Sequence, residues 1–187
     1  MKINYQITEH KRNHYTDKIE CDSSNKFPIQ GQLDYSMNSS ISTNPYKDKT
    51  DFENDLFKIF SKQYILLTFN NQQETRKLQK RLIGISKNMI DFIINELRGC
   101  FRIIIKNING NYFCSDLIKI CNKDQRIEIL KELSNTINED CTDRFGNHTI
   151  QNLIELASNE EEFNLLLLSF NDFNKITVPA LNQYGSH

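Results

Sequence analysis

The sequence predicts an all-α fold, a solenoid of stacked helical repeats, and three observations carry that reading. Apolar residues recur at helical spacing from about Asp51 onward, strand-like alternation is nearly absent, and three prolines and six glycines are all that punctuate 187 residues. Three segments align without gaps: TRKLQKRLIGI from Thr75, NYFCSDLIKIC from Asn111 and NHTIQNLIELA from Asn147, with starts 36 residues apart. A second amphipathic stretch follows each one, Ser86 to Leu97, Asp124 to Leu133 and Asn159 to Phe170. Units of this size cannot bury an apolar face alone, and stacking them gives one continuous core.

Taken in order, residues 1–50 are Ser- and Asn-rich, weakly hydrophobic and non-periodic. Such a stretch buries too little apolar surface to offset the entropy of ordering, so a disordered tail is expected, with Phe27, Tyr35 and Tyr46 as candidate anchors of a binding motif. Thr50 and Glu53 have capping-box spacing, which predicts the start of a helix whose apolar stripe is Phe52, Leu56, Ile59, Phe60 and Tyr64. Ile65 to Phe69 continue that stripe into a second short segment.

Within the aligned segments, apolar residues fall at offsets 3, 7 and 10 from the segment start, and in two of the three at offset 6. The expected buried sets are Leu78, Leu82 and Ile85; Cys114, Leu117, Ile118 and Cys121; and Ile150, Leu153, Ile154 and Ala157, with Arg81 as the exception. Asn109-Gly110 and Phe145-Gly146 precede the second and third segments and predict tight approach turns, with the neighbouring Asn as cap; Glu74 replaces the glycine in the first. Asp124 and Asn159 suit the cap of the second helices. Phe101 to Lys106, Ile137 to Asp143 and Phe173 to Leu181 leave room for a further short helix per unit, the last burdened by Pro179. The expected organisation is a cap helix, repeats near 64–99, 100–135 and 136–172, and the start of a fourth over 173–187.

Composition excludes several classes of function. No apolar run reaches membrane-spanning length, and MKINYQITEHKRNHY lacks a secretory h-region, so a cytoplasmic protein is expected, with nucleus or nucleolus open. The formal charge of -1 gives no global positive field, so any nucleic-acid binding must be local. Five cysteines contain no CxxC pair and match neither a zinc knuckle nor a disulfide framework; Cys114 and Cys121 read as small core residues. His10, His14, His148 and His187 lie in no hydrolase, metalloprotease or phosphate-loop motif, so neither catalysis nor a metal or other cofactor is expected.

The offsets left over by the core are 0, 1 and 4. Offsets 0 and 4 share a helix face, where two polar groups converge, and offset 1 projects sideways toward a neighbouring unit. The triplets are Thr75, Arg76 and Gln79; Asn111, Tyr112 and Ser115; and Asn147, His148 and Gln151. Two hydrogen-bonding residues flanking one planar side chain suit an unstacked nucleobase, its edge met by amides and hydroxyls and its face by Arg, Tyr or His.

FGNHTIQNLIEL, NGNYFCSDLI and TRKLQKRL, preceded by DLFKIFSKQYILLTF, make the chain resemble the Pumilio (PUF) repeat proteins over about residues 51–187. The resemblance implies a right-handed α-solenoid that binds single-stranded RNA on its concave face, one base per repeat and antiparallel to the repeats. The role it implies is repression of messenger RNAs through their 3′ untranslated regions, with protein co-repressors as further partners and no DNA or membrane. It makes Arg76, Tyr112 and His148 stacking residues. Thr75/Gln79, Asn111/Ser115 and Asn147/Gln151 become base-edge readers, the first pair suited to adenine and the third to uracil. Ser115 stands where the family has a longer Gln or Glu, and fewer repeats are present than in a full domain of the family. The competing reading is a helical-repeat scaffold for proteins or a degenerate fragment without RNA selectivity; positive charge confined to the ladder of first helices would favour RNA.

Overall fold

The computed structural model describes residues 49–170, with side chains from Asn54 onward. The expected tail, the capping box at Thr50 and Glu53, and the fourth unit with Pro179 lie outside these descriptions, except that the backbone of α1 (Lys49–Ile59) begins one residue ahead of Thr50.

The remaining helices fall into three triplets. They are α2 (Lys62–Thr68), α3 (Gln72–Arg81) and α4 (Lys87–Leu97); α5 (Phe101–Ile105), α6 (Gly110–Ile120) and α7 (Lys123–Leu133); and α8 (Ile137–Asp140), α9 (Gly146–Leu156) and α10 (Glu160–Ser169). The described residues contain helices and connecting turns, with no strand. Equivalent helices stack on one another: α3 on α6 and α6 on α9 form one ladder, α4 on α7 and α7 on α10 another, while the short α2, α5 and α8 pack on the ladder helix of their own unit. This is a solenoid of three-helix repeats with a single core running from Phe60 to Leu166.

Propensity and capping explain the individual helices. Ser86 accepts from the Met89 N–H at the start of α4, and Asn159 accepts from the Glu162 N–H at the start of α10. For α7 the cap is Asn122 rather than Asp124. Asn122 and Gln125 exchange side-chain and backbone hydrogen bonds in a full capping box, which a carboxylate two residues further on cannot form. Two carboxylates 36 residues apart tie α4 to α2 and α7 to α5 within their own units. Glu96 accepts from the Lys62 N–H at 2.7 Å, and Glu132 accepts from the Gly99 and Phe101 N–H groups at 2.8 Å each. These bonds satisfy amides that a short helix leaves without partners.

Ile85 and Ala157 are only partly buried, and the core departs further from the expected pattern at two places. Phe113, at offset 2, is fully buried and its ring stands 5.5 Å from that of Phe69, because α6 is flanked by ladder helices on both sides and its apolar arc is wider than one face. Ile154, expected to be buried, is 47% exposed, whereas its equivalents Leu82 and Ile118 are buried. In the first two units the next ladder helix packs against the preceding one, and among the described residues none follows α9. Cys114, Cys121 and Cys141 are buried free thiols. Burial pushes the Cys121 thiol up to about 12, against the opposing pull of Arg126, and that of Cys141 up to about 11, so both are protonated core groups at neutral pH. No helix among the described residues is long and apolar enough to cross a membrane.

Candidate nucleic-acid interface

The ladder α3, α6 and α9 carries the three triplets, and the turn before each helix decides how they are presented. Asn107 Oδ1 accepts from the Asn109 and Gly110 N–H groups, while Asn111 Nδ2 donates back to the Asn107 and Ile108 carbonyls, all at 2.8–2.9 Å. Asp143 and Asn147 repeat the arrangement: Asp143 Oδ1 accepts from the Phe145 and Gly146 N–H groups, and Asn147 Nδ2 donates to the Asp143 and Arg144 carbonyls. In the first unit Asn71 accepts from the Gln73 and Glu74 N–H groups and Thr75 Oγ1 contacts the Thr68 and Asn71 carbonyls at 2.9 Å. The clasp therefore recurs at 71/75, 107/111 and 143/147, so the cap lies three residues before each glycine rather than beside it.

This clasp corrects the expected exposure of offset 0. Thr75, Asn111 and Asn147 are only 2%, 1% and 3% exposed, because the preceding turn folds over them and takes up their hydrogen-bond donors. Ser115 at offset 4 is buried as well. The side chains left at the surface are Arg76, Tyr112 and His148 at offset 1, with Gln79 and Gln151 half-buried at offset 4. Tyr112 is 57% exposed.

Four of the candidates meet at one place. A recess of about 370 Å³ between α3 and α6 is lined by Gln72, Thr75, Arg76, Gln79, Asn109 and Tyr112. Asn109 Nδ2 donates to the Phe69 carbonyl at 2.9 Å and so fixes the loop on one side of it. Arg76 and Tyr112, from consecutive units, are the two planar groups of its lining, and Gln79 supplies an amide. Asn111 and Ser115, then Asn147, His148 and Gln151, hold the corresponding places on α6 and α9. Gln79 Nε2 also donates to Asp116 Oδ2 at 2.6 Å, a contact across units that helical periodicity within one segment does not reveal.

Charge divides between the two ladders. Helix α3 carries four basic residues against one acid, α6 one of each, and α9 a single acid, a formal +2 in all. The helices α4, α7 and α10 together come to -4. Between these two sets of described helices the positive excess lies on the triplet side, and it is concentrated in α3.

An α-solenoid of three-helix repeats with polar triplets along one ladder defines the class of protein. No family model matches the sequence. It is 27% identical over 146 residues, 74% of the chain, to Pumilio homolog 12 of Arabidopsis thaliana, and 27% identical over 111 residues, 59% of the chain, to a Pumilio domain-containing protein of Schizosaccharomyces pombe. The chain spans 23% and 13% of those two proteins. Among solved structures, the RNA-binding domain of yeast Puf5p bound to SMX2 RNA matches with a TM-score of 0.61 at 19% identity, over 66% of this chain and 35% of that one. The Puf3 RNA-binding domain bound to a Cox17 RNA 3′ untranslated-region site matches with a TM-score of 0.50 at 16% identity, over 76% and 50%. The three-helix repeats of this chain are similar in sequence to Pumilio proteins and share the fold of these Puf RNA-binding domains.

Proposed function

We propose that the chain binds single-stranded RNA along the α3, α6 and α9 ladder and acts in post-transcriptional repression of messenger RNA in the cytoplasm. The observation that carries this reading is the recess between Arg76 and Tyr112. Two planar side chains from neighbouring units line one recess of about 370 Å³, together with the Gln79 amide. Arg76, Tyr112 and His148 are the stacking set, Gln79 and Gln151 meet base edges, and Thr75, Asn111, Ser115 and Asn147 shape the ladder beneath them. The +2 ladder faces the phosphates, and α4, α7 and α10, at -4, form the other ladder.

Fluorescence anisotropy of a labelled U- and A-containing single strand with the full chain, at low salt, tests the proposal. Tyr112→Ala and His148→Ala each remove an exposed ring and should weaken binding by about 1–3 kcal/mol while leaving the thermal melt unchanged. Unaltered binding in both variants would favour a protein-interaction scaffold. That second reading draws support from Phe163, Leu167 and Leu168, which stand exposed on α10.

A further inference from the structure

We infer that Asp116 sets the base preference of the first recess by holding the Gln79 amide in one orientation; the inference rests on the RNA-binding reading above. A carboxylate only accepts hydrogen bonds, so at 2.6 Å from Asp116 Oδ2 the Gln79 group must be its NH2 end. The amide oxygen is then the end left for a ligand in the recess that Gln79 lines. Thr75, one turn before Gln79 on the same helix, is 2% exposed, and its hydroxyl is directed at the Thr68 and Asn71 carbonyls. Asp116 is itself held from its other oxygen by Lys119 at 3.7 Å, one helical turn on.

Gln79 therefore turns an acceptor toward the recess, with a carboxylate behind it, beside the side chains of Gln72, Arg76 and Asn109. Adenine, cytosine and guanine each present an exocyclic amine on the Watson–Crick edge, whereas the single N–H of uracil lies between two carbonyl acceptors that repel the Gln79 oxygen. Amine-bearing bases are selected over uracil. Asp116 touches no base in this arrangement; it is a positioning residue that acts through Gln79.

Two measurements on the full chain test this. In a selection from single strands randomised at one position, the wild-type protein should enrich amine-bearing bases over uracil about three- to tenfold, the worth of one hydrogen bond made or lost. Asp116→Ala frees the amide to rotate and should bring the ratio to near unity. Asp116→Lys places a donor against Gln79, turns its NH2 into the recess, and should reverse the ratio toward uracil. Without RNA, the Gln79 side-chain NH2 signals in a 15N correlation spectrum should move in Asp116→Ala. RNA binding with an unchanged ratio in both variants overturns the inference alone, as does an unmoved amide signal. If the wild-type chain retains no RNA while the amide signal moves, the binding reading fails and takes the base preference with it, and the amide lock stands.

Discussion

A methyl group built on Gly110 would stand 2.7 Å from the carbonyl oxygen of Ile104, and one on Gly146 2.9 Å from that of Asp140. Both glycines have ordinary backbone angles, so they are needed for the closeness of the ladder helix to the short helix before it. The obstructing atom is backbone and cannot swing away. Gly110→Ala should therefore cost about 1–3 kcal/mol in urea denaturation, the range for overpacking a tight contact. Thr149 presents the opposite case. It is fully buried in α9 and its hydroxyl has no hydrogen-bond partner. Thr149→Val keeps the shape and removes a stranded polar group, and should raise stability by about 1 kcal/mol, seen as a higher melting temperature.

At the scale of the element, the clasp is the device that the three units share. Asn107→Ala strips two amides of their acceptor at the start of α6 and should cost about 0.5–2 kcal/mol. The carbonyl bonds of Asn111 remain in that variant, so circular dichroism should show a lower melting point with helix content retained. The helices themselves were legible in the sequence, because periodicity reports which face of a helix is apolar and the 36-residue repeat reports how many such faces are stacked. Exposure at the helix ends was not. Offset 0 lies on the same face as offset 4, but the turn before the helix covers offset 0, while at offset 4 Ser115 is buried and the longer Gln79 and Gln151 stay half-buried, and turn geometry leaves no apolar period. Tyr112 and His148 stand exposed, as offset 1 implies, on the side of the helix that the turn leaves open. Asp116 was missed because its partner Gln79 is 37 positions away, in another unit.

For the whole molecule, a stack in which each unit touches only its neighbours should come apart by units, and acid selects which unit leaves first. Helix α10 is held to α7 by a buried pair: Arg126 Nε donates to Glu162 Oε1 at 2.6 Å and Nη2 to Oε2 at 3.2 Å. Glu162 also accepts from the Ser158 N–H and from Asn159 Nδ2, and Arg126 donates to the Cys121 carbonyl at 2.9 Å. Burial pushes the Glu162 carboxyl up, but the bonds from Arg126 and Ser158 and the Arg126 charge outweigh it and hold the group below its ordinary value of 4.5. A carboxylate with a lowered folded pKa contributes stability that is complete above its unfolded value and is lost as pH falls through the folded one. The corresponding tie between α4 and α7 is Gln125 Nε2 donating to Asp91 at 2.6 Å, a bond from a neutral amide rather than a guanidinium. Hydrogen exchange measured as the pH is lowered from about 5 to about 3 should show the α10 amides losing protection before those of α4 and α6. Glu162→Gln should lower stability at neutral pH by about 3–5 kcal/mol, because Arg126 stays buried without a counter-charge, and should abolish the early acid step at α10. Simultaneous loss of protection in all helices, with the same pH midpoint in the wild-type chain and in Glu162→Gln, would show that the stack yields to acid as one body and that this pair does not set its weakest joint.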